Sequence, residues 1–216
     1  MKRERIVEKV IRKRKSQDIV FLLWYGNRKG KDVDLLLVLK DEVRINCYKM
    51  AKWDILEINN KDFKRRLKLF DPVMTEPVMS GVLLFGSYEK FVYLKRKILS
   101  ICPSVKTIEF LLERASKELE NANDFFERYQ KKTESQLLLF TLLDLSFACS
   151  YFEFARYYRN SFDVGPISFS ELLMQGGRLT LKKVVCVFKQ AKLNHKINEA
   201  RINSLIQEVQ KTIKGD

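Results

Sequence analysis

The feature that most constrains this chain is a change of hydrophobic pattern part-way along it. Before residue 88 the apolar residues gather in short β-branched and aromatic runs, such as Asp18-Ile-Val-Phe-Leu-Leu-Trp-Tyr25 and Val33-Asp-Leu-Leu-Leu-Val-Leu39. From Tyr88 onward they recur every three or four residues. Short runs of the first kind suit strands buried in a sheet, and the second spacing draws one apolar stripe along a helix. Strand signals first and helix signals afterwards argue for an α+β chain: an N-terminal mixed sheet with flanking helices, then a C-terminal antiparallel α-helical bundle. The switch falls at Cys102-Pro103-Ser104, which divides the chain into an α/β domain at 1–103 and a helical domain at 104–216.

Within the first domain, Ile6, Val7, Val10 and Ile11 lie among charges and predict an amphipathic helix over 3–16. Strands are expected at 18–25, 33–39, 43–48, 53–58 and 82–85, with a helix over 62–70 capped by Asn60. Ser87 reads as the cap of the next helix. The second domain predicts helices over 88–101 (leading into it), 105–130, 134–160, 168–175, 179–191 and 196–213. Breaks fall at Pro103, Thr133, Gly165-Pro166 and Gly176-Gly177.

Charge narrows the classes of partner. The chain carries 41 Lys and Arg against 27 Asp and Glu, a net +14. Residues 1–31 hold 11 basic and 3 acidic side chains, and residues 171–216 hold 9 and 4, so the excess sits at the two ends. Such a surface suits a polyanion, a nucleic acid or a nucleoside triphosphate, although a solvated lysine-rich face accounts for any one cluster equally well. No apolar run approaches the ~20 residues of a membrane helix, and the opening Met-Lys-Arg-Glu-Arg is unlike a secretory leader. The expectation is a cytoplasmic protein that does not engage a membrane. The four cysteines form no C-x-x-C pair and only one histidine accompanies them, so buried free thiols are expected rather than a cluster or disulfides.

The stretch that carries chemistry is Tyr25-Gly-Asn-Arg-Lys-Gly-Lys-Asp-Val-Asp-Leu. Residues two apart on a strand face the same way, so Asp32 and Asp34 are aimed together if both lie in extended backbone. Paired carboxylates repel, and a divalent cation relieves that repulsion. Gly26, without a Cβ, lets backbone amides approach a phosphate. Asp54 interrupts the apolar run Trp53-Asp-Ile-Leu56 and offers a third carboxylate, as metal ligand or as base toward an attacking hydroxyl.

Gly26-Asn27, Asp32-x-Asp34 and Asp54 on a following strand resemble the DNA polymerase β-like nucleotidyltransferase superfamily, in its minimal branch. The resemblance covers residues 18–86, including Asp71-Pro-Val-Met-Thr-Glu-Pro-Val-Met-Ser-Gly-Val-Leu-Leu-Phe-Gly86, which resembles the helix-to-strand passage that closes such domains. It implies a Mg²⁺-dependent transfer of a nucleotidyl group from a nucleoside triphosphate to a hydroxyl acceptor, protein or nucleic acid. Asp32, Asp34 and Asp54 would hold metal, Asp54 would assist catalysis, and Gly26 and Asn27 would cradle phosphate. The family pattern has serine where this chain has Asn27, and Lys31 replaces a common serine before the first aspartate. Both an active transferase and a catalytically degenerate binding module, a toxin–antitoxin-like partner or nucleic-acid binder, fit these departures.

The helical half is similar in pattern to HEPN bundles, carried by 111–126 and by Phe147-Ala-Cys-Ser-Tyr-Phe-Glu-Phe-Ala-Arg-Tyr-Tyr158. Such bundles accompany minimal nucleotidyltransferases, fused or as partner chains, and a homodimer through this half is one partner expectation. The Arg-x(4–6)-His signature of active HEPN nucleases is missing, because the only histidine, His195, lies far from Arg156 and Arg159. Tyr151, Phe152, Phe154, Tyr157 and Tyr158 could stack bases or fill a core.

Overall fold

The computed structural model describes residues 3–26, 33–40, 43–50, 53–161, 163–174, 179–194 and 198–214. Asn27, Asp32 and His195 therefore lie outside the described residues. The chain divides into two compact units, Met1–Cys102 and Pro103–Asp216.

The first unit is built on a five-stranded mixed sheet. Helix α1 (Arg3–Lys13) is followed by a 3-10 turn at Ser16–Asp18, then β1 (Ile19–Tyr25), β2 (Val33–Leu39), β3 (Asn46–Met50) and β4 (Trp53–Asn59). Helices α2 (Asn60–Lys68) and α3 (Pro72–Ser80) lead to β5 (Val82–Gly86) and α4 (Tyr88–Leu99). The strand order is β3-β4-β2-β1-β5. β2 and β4 run parallel, and the other neighbours are antiparallel.

Burial on both faces explains why β1, β2 and β4 are almost continuously apolar. Leu22, Leu35, Leu37, Leu39, Trp53 and Ile55 pack with Val10 of α1 on one face. The alternate residues Leu23, Leu36, Val38 and Ile58 are also inaccessible to solvent. They turn to the other face, where α2 touches β2 and β4 and α3 touches β1. α1 is further pinned by Arg14, whose guanidinium donates to both carboxylate oxygens of Glu57 at 3.1 and 2.7 Å. The Tyr48 hydroxyl donates to the same carboxylate at 2.7 Å. Burial pushes the Glu57 pKa up, but these bonds outweigh it and hold the carboxyl below its usual range.

Several sequence expectations shift. The cap of α2 is Asn59, one residue earlier than expected: its Oδ1 accepts from the Asp62 amide at 2.8 Å. The same side chain donates to the Val43 carbonyl at 3.0 Å. Strand β3 accordingly begins at Asn46 rather than Val43. Helix α3 and β5 fall in the 71–86 passage, which the resemblance implied to run from helix to strand. Asp71 caps α3, accepting from the Val73 amide at 3.0 Å, and Pro72 takes the first helical turn, where no donor is needed. Arg66 on α2 bonds Asp71 at 2.6 Å in a buried pair that joins the two helices. Of the four free cysteines only Cys149 is buried, while Cys47, Cys102 and Cys186 are exposed.

The second unit is helical. α5 (Val105–Lys132) and α6 (Ser135–Asn160) form an antiparallel hairpin closed by Thr133 in the left-handed conformation, φ 53°. α7 (Phe169–Met174), α8 (Leu179–Asn194) and α9 (Glu199–Lys214) complete the unit, and each packs on α6. A capping box between Ser104 and Thr107 starts α5. Helix α6 is buried nearly all round: Tyr151, Phe152, Phe154 and Tyr158 are core residues. The core reading of this aromatic cluster holds for those four, and base stacking does not. By length and composition α6 is apolar enough to cross a membrane, yet 67% of its most apolar stretch is packed inside the unit, as in a core helix.

Candidate functional site

The site is built where four strands bring polar side chains into one row. Tyr25 of β1 stands opposite Asp34 of β2, Asp34 stands opposite Asp54 of β4, and Asp54 stands opposite Lys49 of β3. Residues in direct register share a face and lie one strand spacing, about 4.8 Å, apart. The neighbouring residues Leu35 and Ile55 belong to the core under α1. The row is therefore on the opposite face, at the end of β2 where the chain enters the strand.

Position in the strand sets the environment of each group. Asp34 is half-buried, and Leu35 to Leu39 after it are almost wholly inaccessible. The Asp54 side chain is 50% exposed, and the Lys49 ammonium lies 3.8 Å from one of its oxygens. Burial pushes the Tyr25 phenol well above its ordinary pKa, and the charges of Asp34, then Cys47 and Asp54, add to that. Tyr25 thus remains a protonated phenol at neutral pH, able to donate or accept a hydrogen bond.

Gly26 closes the row. Its φ of +75° is a conformation that L side chains rarely adopt. A Cβ added there would overlap Oδ2 of Asp34. The Asp34 carboxylate therefore lies over the turn at Gly26, against backbone that only glycine leaves open. Two carboxylates on adjacent parallel strands, with a glycine turn beneath one of them, are hard oxygen donors of the kind that bind Mg²⁺. Among the described residues no group of three His, Cys, Asp or Glu side chains could hold a metal. The described pair is Asp34 and Asp54, and Asp32, the other acid of the motif, lies outside the described residues, as does Asn27.

Tyr25 and Lys49 are members of the row that the motif did not name. Tyr25 was visible only as the residue before Gly26. The facing of Lys49 and Asp54 depends on the register of the β3–β4 hairpin, which residue types alone do not give.

No family model matches this chain, and no curated protein is similar to it. Among solved structures, the crystal structure of a nucleotidyltransferase-like protein from Exiguobacterium sibiricum 255-15 is similar over 97% of this chain and 75% of that one. The identity is 14% and the TM-score 0.40, a likeness too loose to carry weight for site or activity. The functional reading therefore rests on this chain's own residues.

Proposed function

We propose that the first unit is a nucleotidyltransferase that moves a nucleotidyl group from a nucleoside triphosphate to a hydroxyl acceptor. The observation that supports this is the placement of Asp34 opposite Asp54, with the Asp34 carboxylate over the turn at Gly26. In this reading Asp34 and Asp54, with Asp32, hold Mg²⁺, which when bound neutralises triphosphate charge. Gly26 and Asn27 line the approach of the phosphates. Asp54, the more open of the two described acids, is the candidate to take the proton from the acceptor hydroxyl. The Tyr25 phenol, held protonated, is positioned to donate a hydrogen bond within the row.

In the second unit, the proposal is a HEPN-like bundle that pairs with a second copy. Phe140 and Phe147 support this, because they lie seven apart on α6 and each is 38% exposed.

Calorimetric titration with the four nucleoside triphosphates, with and without Mg²⁺, tests the transferase reading. Binding should require Mg²⁺ and disappear in Asp34→Asn and in Asp54→Asn. Asn27→Ala should weaken binding by about 1–3 kcal/mol, the scale of a hydrogen bond to a charged group. If Asn27→Ala changes nothing and Asn27→Ser binds more tightly, the site is a degenerate copy. No binding by any of these proteins sinks the transferase and leaves the partner-binding module.

A further inference from the structure

A cavity of about 570 Å³ lies between α2 and α4, at the opposite end of β2 from Asp34. The separation is roughly 20 Å, six residues of strand at about 3.3 Å each. Lys40, Lys64, Lys68, Lys90 and Lys97 border the cavity, mainly through their aliphatic stems, and among the described residues no carboxylate lines it. None of these five lysines forms an ion pair with a described residue. The floor is apolar, with Phe21, Leu67 and Ile98 among its residues. Tyr93 stands at the rim, 65% exposed, with the Lys97 ammonium 5.9 Å from its ring centre.

This arrangement follows from helix periodicity. Lys64 and Lys68 are four apart on α2, while Lys90, Tyr93 and Lys97 occupy one stripe of α4. The other sides of α4 do the anchoring: Phe91 meets Phe21 edge-on at 6.1 Å, and Lys95 donates to the Met79 carbonyl at 2.6 Å. Gathering cations that have no ion-pair partner among the described residues around one cavity raises their mutual repulsion, which an anionic ligand would relieve.

The spread of charge says which anion. The cationic strip continues over the outer side of α2, where Lys61 and Arg65 border a second depression that shares Lys64 and Lys68. Lys61 to Lys68 covers about 10 Å of helix, and Lys90 to Lys97 another 10 Å. That length exceeds one phosphate group and suits a chain of phosphates. The exposed tyrosine among the lysines adds a flat surface on which a base can stack. We propose that the α2–α4 cavity binds single-stranded nucleic acid, with Lys64, Lys68, Lys90 and Lys97 on backbone phosphates and Tyr93 against a base. This site is separate from the carboxylate row and does not depend on the transferase reading.

The test is fluorescence anisotropy with a labelled 12-nucleotide single strand, prepared as RNA and as DNA, titrated with the full chain over a range of salt. Changing Lys64, Lys68, Lys90 and Lys97 together to alanine should lower affinity about 30-fold or more. It should also reduce the log–log salt slope by about 3, from four contacts at ~0.7 each. All four side chains are exposed and alanine favours helix, so the variant keeps its fold, which circular dichroism verifies. Tyr93→Ala should cost about 10-fold on its own. A control changing the exposed Lys106, Lys117, Lys131 and Lys132 of α5 should cost much less. Three results would overturn the proposal. One is no strand binding by the wild type. Another is equal loss in the control. The third is a Tyr93→Ala variant that binds normally while inorganic polyphosphate displaces the strand at equal phosphate concentration.

Discussion

Replacing Gly26 with alanine probes the contact on which the site geometry turns. At φ +75° an alanine costs about 1 kcal/mol for the left-handed backbone alone. Its Cβ would also overlap Oδ2 of Asp34, with Cγ at 3.4 Å and Cβ at 3.7 Å. Turning the carboxylate aside costs about another 0.5–1.5 kcal/mol of rotamer strain. The full cost is therefore about 2 kcal/mol. In an Asp34→Ala background only the 3.7 Å contact remains, which is ordinary van der Waals distance, so the cost should fall to about 1 kcal/mol. The coupling between the two positions is thus about 1 kcal/mol, within reach of a double-mutant cycle. The chain's two tryptophans, Trp24 and Trp53, both lie in the sheet, so their fluorescence during urea unfolding reports the first unit. An equal cost of Gly26→Ala in both backgrounds would refute the placement of Asp34 over the turn.

Two further predictions concern buried charge. Burial, then the neighbouring charge of Glu118, pushes the Asp144 carboxyl up to about 7 against the opposing effect of Arg114. The folded state holds this proton more tightly than the unfolded chain, so its contribution to stability falls as pH rises from about 4 to 7. Asp144→Asn should remove that loss and gain about 1–2 kcal/mol over wild type at pH 8 relative to pH 4, discounted for partial exposure. Calorimetric unfolding at both pH values would show it, and an unchanged difference would refute it. Arg14→Ala leaves Glu57, 1% exposed, with the Tyr48 hydroxyl and the more distant charge of Lys13 among the described residues, and should cost about 2–4 kcal/mol at pH 7. Glu57 has a depressed pKa, so the stability its pairing supplies is present above the unfolded value near 4.5 and is lost as pH falls. The gap between wild type and variant should therefore narrow toward pH 4, and urea titrations at each pH would detect a gap that does not.

The α+β class, the N-terminal strands and the helical C-terminal half were legible in the sequence because each rests on pattern, while the mixed pairing of the sheet came with the resemblance. β1, β2 and β4 are buried on both faces, and their near-continuous apolar runs leave little alternative. Helix α3 was legible only through the resemblance, because a segment with Pro72 and Pro77 carries no helical signal of its own. Pro72 falls where a helix needs no amide, and Pro77 forgoes a single ladder bond. The start of β3 was misplaced because Val43 serves the Asn59 side chain instead of a strand partner. At the candidate site, the sequence offered Asp34 and Asp54 as acids on separate strands but could not give their register. The tyrosine opposite Asp34 and the lysine facing Asp54 depend on that register. The lysine-lined cavity was illegible for a related reason: its cations come from α2, α4 and the end of β2, which meet only in the folded unit.

On the proposed function, Asp34 and Asp54 share one divalent cation. Electron paramagnetic resonance of Mn²⁺, used in place of Mg²⁺, reads that most directly, because bound and free Mn²⁺ give separable signals. In the presence of a non-hydrolysable nucleoside triphosphate, the wild type should bind Mn²⁺ stoichiometrically. Asp34→Asn and Asp54→Asn should each lose that binding, while Glu89→Gln, an exposed acid on α4, should keep it. Equal Mn²⁺ affinity in all four proteins would contradict the account.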